Sequence, residues 1–276
     1  MKTIHALDPV RSRQLDTAGL REHFLLTDLF QAGKVELRHW EVDRAVIGGA
    51  VPTTELLAMP IPREMAAETF CERREVGVMN LGGTGTVKVD GTAYALEACD
   101  ALYVGRGVKS ITFASDSAVA PARFYLLSFP AHSAHPTRLV RKADANVLNL
   151  GSPAEANARV LRQYICPGRV ESCQLVMGYT EMLEGSVWNT FKPHTHARRC
   201  EIYLYFGVSE GECVMHFMGE PTETRHLVVR DLQAALSPNW SIHGGCGSRA
   251  YAFVWGMGGE NQVFTDMDPV AMDRLA

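Results

Sequence analysis

The feature that most limits the fold is a long succession of short apolar runs broken by glycine, proline and aspartate. Such runs occupy 75–80, 86–89, 101–104, 110–113 and 123–129. They resume at 174–180, 201–206, 213–218, 226–229, 234–236 and 251–255. Many short strands at close spacing build a sandwich or a barrel, not a parallel α/β sheet. Asp90-Gly91 stands between 86–89 and 92–96 and marks a tight hairpin. Helical signals are few. Asp16 or Thr17 caps a helix that carries Leu20, Phe24, Leu25 and Leu29 and stops near Gly33. Ser152-Pro153-Ala154-Glu155 opens a second, short one. The expected fold is all-β: two tandem jelly-roll β-barrels with few short helices.

A faint internal repeat supports the duplication. Arg73-Arg74-Glu75 resembles Arg198-Arg199-Cys200-Glu201, and Gly105-Arg106-Gly107 occupies the turn position of Pro238-Asn239-Trp240. The stretch 130–158, with Pro136, Gly151 and Pro153, reads as the connection. The expected domains are 1–140 and 141–276. Hydrophobic residues make up 46%, enough for two cores. The net charge of −4 is spread along the chain, with no basic block of the kind that binds nucleic acid. The first 20 residues lack the basic start and apolar run of a secretory signal. No apolar run is long enough for a membrane helix. The seven cysteines include no CxxC pair and read as reduced thiols of the cytosol.

Chemistry concentrates in Pro193-His194-Thr195-His196-Ala197-Arg198-Arg199-Cys200-Glu201. Residues two apart on a strand share a face, so His194 and His196 project two imidazoles into one cavity. Glu201 begins the next run, where Tyr203 and Tyr205 share its face. Two imidazoles and a carboxylate suit a first-row divalent metal. A fourth ligand follows in Pro238-Asn239-Trp240-Ser241-Ile242-His243. Together these fit the cupin pattern of HxH, a following Glu, and P-x-G-x-x-H, with Trp240 where the pattern has glycine. The expected metal ligands are His194, His196, Glu201 and His243, one ion per chain. At an offset of 126, Glu68, Phe70 and Glu75 occupy the equivalent positions of the first half, and Ser110 matches His243. The first barrel is therefore expected to be a degenerate one without metal ligands.

The whole chain resembles the 5-keto-4-deoxyuronate isomerase family. The likeness is carried by Glu72-Arg73-Arg74-Glu75-Val76-Gly77-Val78, Trp188-Asn189-Thr190 and 194–201. It continues in Glu223-Thr224-Arg225-His226, 237–243 and Gly259-Glu260-Asn261-Gln262-Val263-Phe264. The resemblance implies a cytoplasmic, zinc-dependent, homohexameric aldose–ketose isomerase of pectin and uronate degradation. Its implied substrate is a small deoxy-keto-uronate, with no nucleic-acid or membrane partner. Its zinc ligands fall on the same four residues. The residues leave the catalytic base open among His216, His226 and Glu260, and Arg198, Arg199 and Arg225 lie near the motifs as partners for a carboxylate. The alternatives are a 5-deoxy-glucuronate isomerase, an Fe(II) cupin dioxygenase and a non-catalytic sugar-binding cupin.

Overall fold

The computed structural model describes all residues, Met1–Ala276. The chain is all-β and divides into two compact units, each a jelly roll of two sheets. The first unit holds Met1–Ile4, Asp28–Ala145 and Tyr164–Val176; the second holds His5–Thr27, Asn146–Gln163 and Met177–Ala276. The expected boundary at 140/141 is therefore corrected in two places. Residues 5–27 belong with the second unit because Leu25–Leu26 pairs with Gln233–Ser237 and Arg13 reaches Glu220. Residues 164–176 belong with the first, where a buried carboxylate described below holds them.

In the first unit the seven-stranded sheet places Phe124–Pro130 between Ala45–Ala50 and Arg74–Asn80, which in turn pairs with Ala101–Val104. In the second unit Ala252–Gly259 lies between Val176–Met182 and Arg199–Phe206, which pairs with Gln233–Ser237. The repeat seen in sequence is thus a repeat of topology. The smaller sheets have four and five strands. In the four-stranded one Val89 faces Thr92 across Asp90-Gly91, and both loop residues have positive φ, 47° and 87°. That is the geometry of a two-residue hairpin, and Gly91 carries it without strain.

The amino-terminal helix runs Thr17–Phe24, shorter than the apolar spacing implied. Asp16 caps it, accepting from the Gly19 N–H at 2.8 Å. It stops at Phe24 because Leu25 and Leu26 are taken up as an edge strand. Ser152 precedes only a 3-10 turn, Pro153–Glu155.

Sheet parity corrects the expected equivalence of Glu75 and Glu201. Val76, Val78, Leu102, Val104 and Leu126 share the apolar core of the first barrel, so Glu75 points out of the opposite face. Val76 pairs with Val104 and Ser128, as Glu201 pairs with Ser237 and Met257. Val76 is therefore the structural counterpart of Glu201, and the true offset is 201 − 76 = 125. A slip of one residue moves every side chain to the other face. Glu75 is fully buried and has a different task. It accepts the backbone N–H groups of Cys173, Gln174 and Leu175 at 2.7–2.8 Å and the Tyr103 hydroxyl at 2.8 Å. Glu75→Ala strands three backbone donors at about 1–3 kcal/mol each. Chemical denaturation should therefore show a loss of roughly 3 kcal/mol or more. A loss under about 1 kcal/mol would show that water replaces the carboxylate.

Candidate metal centre

His194 lies near the end of Trp188–Thr195, and His196 follows just beyond it. Glu201 is the third residue of Arg199–Phe206, and His243 opens His243–Gly247. His194 and His243 are direct cross-strand partners. The structure brings all four residues together, with one ligand atom from each and all of these within 4.8 Å of one another. His194 Nε2 lies 3.2 Å from His196 Nε2 and 3.1 Å from His243 Nε2. Glu201 Oε2 lies 3.1 Å from His196 Nε2 and 3.0 Å from His243 Nε2. Donors about 2.0–2.1 Å from a tetrahedral ion stand roughly 3.3 Å apart, so these edges match a metal-centred set.

The tautomers agree. His196 Nδ1 lies 2.7 Å from the Asp266 carbonyl, which only accepts, so Nδ1 carries the proton. Its Nε2 then presents a lone pair to the other three donors. Ser237 Oγ sits 3.3 Å from His243 Nδ1 and orients that ring in the same sense. Lone pairs and a carboxylate this close repel unless a cation lies among them. Burial, and after it the neighbouring His243, pushes the His194 imidazole down to about 3 and keeps it neutral. Neutral imidazoles and an ionised carboxylate are the forms that ligate a divalent ion.

Trp240 does not disturb the turn that delivers His243. Its φ is not positive, so no glycine is required there, and Ser241 N–H closes the turn on the Pro238 carbonyl at 2.9 Å. The indole instead packs edge-on against Phe24 of the amino-terminal helix, with ring centroids 6.1 Å apart.

His194, His196 and Glu201 open on a cavity of about 380 Å³. Its wall carries Tyr203, Thr180, Asn189, Trp255, Arg159 and Lys192, and Phe264 and Met267 line it from the 260–269 segment. Thr180 Oγ1, Asn189 Nδ2 and Trp255 Nε1 are buried there without a hydrogen-bond partner. Burial first, then the charge of Glu201, holds the Tyr203 phenol well above its ordinary value, so it stays protonated. Burial pulls the Arg159 guanidinium below its ordinary value without discharging it.

The other residues singled out from sequence lie elsewhere. His226 is exposed on the strand Glu223–Val229. His216 is fully buried, its Nδ1 2.7 Å from the Tyr205 hydroxyl, and burial pushes it down to about 3. Glu260 is ion-paired to Arg198 at 2.9 Å, and Arg225 to Glu223 at 2.7 Å. None of these lines the cavity. Arg199 is 1% exposed and does not line the cavity, so it is not placed to meet a substrate carboxylate. It donates to the carbonyls of Val263, Phe264 and Asp266, and so fixes the carbonyl that orients His196. Arg159 was missed in sequence. Its one signal is alternation with Leu161, which lines the same cavity.

Fold and cluster together define a protein of two jelly-roll units of cupin-type fold, with three histidines and one carboxylate clustered in the second. More particularly, the chain belongs to the KduI/IolB family, whose sequence profile matches residues 26–272. It is 51% identical over 270 residues to the 4-deoxy-L-threo-5-hexosulose-uronate ketol-isomerase of Lachnoclostridium phytofermentans, covering 98% of both chains. It is 49% identical over 278 residues to the protein of the same name from Kineococcus radiotolerans, covering 100% of both. The chain is an enzyme, an isomerase. Among solved structures, an IolB-like protein from Salmonella typhimurium superposes with a TM-score of 0.73 at 12% identity, over 90% of this chain and 96% of that one. Quercetin 2,3-dioxygenase from Acinetobacter baumannii gives 0.51 at 12% identity, over 78% and 73%. These two likenesses show the fold. No helix is long and apolar enough to cross a membrane, and all seven cysteines are free.

Two outcomes are expected here. Arg199→Met releases the Asp266 carbonyl and should weaken metal affinity about 10- to 100-fold, measured by competition with a chromophoric chelator. Wild-type affinity in that variant would contradict the role given to Arg199. The second concerns pH. His194 and His216 have folded values near 3 against 6.5 unfolded, so the unfolded chain takes up protons first as pH falls. Their contribution is full above 6.5 and is lost toward 3, on the order of 1.4 kcal/mol per pH unit for each ring. The melting temperature of metal-free protein should therefore drop between pH 7 and pH 5; a flat profile would contradict buried neutral imidazoles.

Proposed function

We propose that this protein is a zinc-dependent aldose–ketose isomerase that converts 5-dehydro-4-deoxy-D-glucuronate to 3-deoxy-D-glycero-2,5-hexodiulosonate in uronate and pectin breakdown. One zinc per chain is held by His194, His196, Glu201 and His243. A cytoplasmic homohexamer, with the first barrel as a metal-free partner of the second, belongs to the same reading. The observation that carries it is the meeting of that cluster with Arg159 in one cavity. The name of the 51% identical relative supports the substrate.

The substrate is an open-chain acid with an aldehyde at one end and a carboxylate at the other. Bound zinc supplies Lewis acidity toward the carbonyl and the adjacent hydroxyl. Arg159 offers a guanidinium fork to the carboxylate. Tyr203 Oη, kept protonated and 3.1 Å from Thr190 Oγ1, donates beside the cluster. Phe264 and Met267 exclude water, which strengthens each of these contacts.

Proton NMR with the ketoaldehyde in heavy water tests the reaction. Proton transfer places deuterium on the new hydroxymethyl carbon, whereas a hydride shift leaves that carbon unlabelled. Absence of turnover on any deoxy-keto-uronate at full zinc occupancy would defeat the assignment. Glu201→Gln removes a ligand charge and should lower both zinc content and turnover; wild-type values for both would remove Glu201 from the site. Arg159→Met should lower kcat/KM about 10- to 100-fold for the acid and leave a substrate analogue lacking the carboxylate unaffected. Equal losses on both would show that Arg159 does not read the carboxylate.

A further inference from the structure

The first barrel has its own mouth, at the strand position where the second barrel carries its cluster. Arg74 precedes Val76 on the same strand face, as Arg199 precedes Glu201. The mouth holds a cavity of about 340 Å³, with Val46 and Phe70 at its floor and Arg44, Arg73 and Arg74 on its wall. We propose that this mouth binds a small anion, one carrying a carboxylate or phosphate group, between the guanidinium groups of Arg44 and Arg74.

The argument rests on charge and on donors. Arg74 is largely buried and hydrogen-bonds to uncharged oxygens alone. Its Nε donates to Ser128 Oγ at 3.0 Å, and its Nη2 to the carbonyls of Ser128 and Arg44 at 2.9 and 2.6 Å. These bonds fix the plane of the guanidinium and leave Nη1 without a protein partner. Arg44 likewise makes no ion pair, and its charge repels that of Arg74: burial first, with Arg44 adding, pulls Arg74 down to about 10. Two neighbouring cations without a carboxylate between them favour an anion at that point. Other charges at the mouth are already engaged. Arg73 pairs with Glu72 at 2.9 Å, and Glu64 lies 3.6 Å from the Met1 amino group. Arg44 itself has a φ of 52° and its neighbour Asp43 one of 47°, a left-handed turn that non-glycine residues seldom adopt. That turn also aims the Arg44 carbonyl at Arg74, so one strained segment sets both cations. Val76 stands at the position of Glu201, so no carboxylate enters from that strand, and the wall carries His39 and Glu64 beside the three arginines.

Calorimetric titration of the full-length, zinc-loaded protein tests this, with inorganic phosphate and galacturonate as separate probes. Wild type should bind at least one probe saturably, and the probe that binds distinguishes a phosphate source from a sugar-acid source. Arg44→Gln should weaken that binding roughly tenfold or more, and Arg44→Lys should retain most of it. Arg44 is exposed and keeps the same backbone strain in either variant, so the far-UV spectrum should not change. The proposal is overturned if neither probe binds saturably, or if Arg44→Gln binds both as tightly as wild type does. Neither result depends on the isomerase reading, because turnover is not the readout.

Discussion

Three imidazole lone pairs and one carboxylate meet inside the second barrel at separations near 3 Å, and much else follows from how they are held there. Such a set is repulsive by itself and becomes favourable around a cation. The barrel prepays the arrangement through backbone geometry. His194 and His243 are cross-strand partners, and Glu201 enters from a strand of the other sheet. The Asp266 carbonyl then fixes the His196 tautomer, and Arg199 fixes that carbonyl. The same three-carbonyl grip of Arg199 also holds the segment bearing Phe264, which helps close the cavity, so ligand orientation and water exclusion share one buried cation.

The two barrels use one topology for different electrostatics. The interior strand position that carries Glu201 in the second barrel carries Val76 in the first, where it packs among Val78, Val104 and Leu126. Without that carboxylate the interior is apolar, and arginines stand at its mouth beside His39 and Glu64. Glu75, one residue away and on the opposite face, became a structural anchor. It gathers three backbone donors and a tyrosine hydroxyl, and so ties residues 173–175 to the first unit.

Much of this was legible in the sequence, and the gaps have physical causes. The jelly-roll plan follows from short apolar runs between turn residues, and the four-residue cluster from strand alternation at His194 and His196 plus the spacing to Glu201 and His243. Domain boundaries were not legible, because the exchange of residues 5–27 and 164–176 depends on Leu25–Leu26 finding a sheet edge and on Glu75 finding distant N–H groups. The equivalence of Glu75 and Glu201 failed by one residue, since aligning similar letters ignores which face a side chain takes. The carbonyl-gripping role of Arg199 was not legible because its partners lie more than sixty residues away. Arg159 carried no motif, and only its place on the cavity wall singles it out.

The central claim is that this four-residue cluster holds one divalent ion on which isomerisation depends. Titration of metal-free protein with zinc, with turnover of the deoxy-keto-uronate followed by proton NMR at each step, tests it most directly. Activity should rise from near zero in proportion to added zinc and level off at one equivalent per chain. Full turnover before any zinc is added, or no turnover once one equivalent is bound, would contradict it.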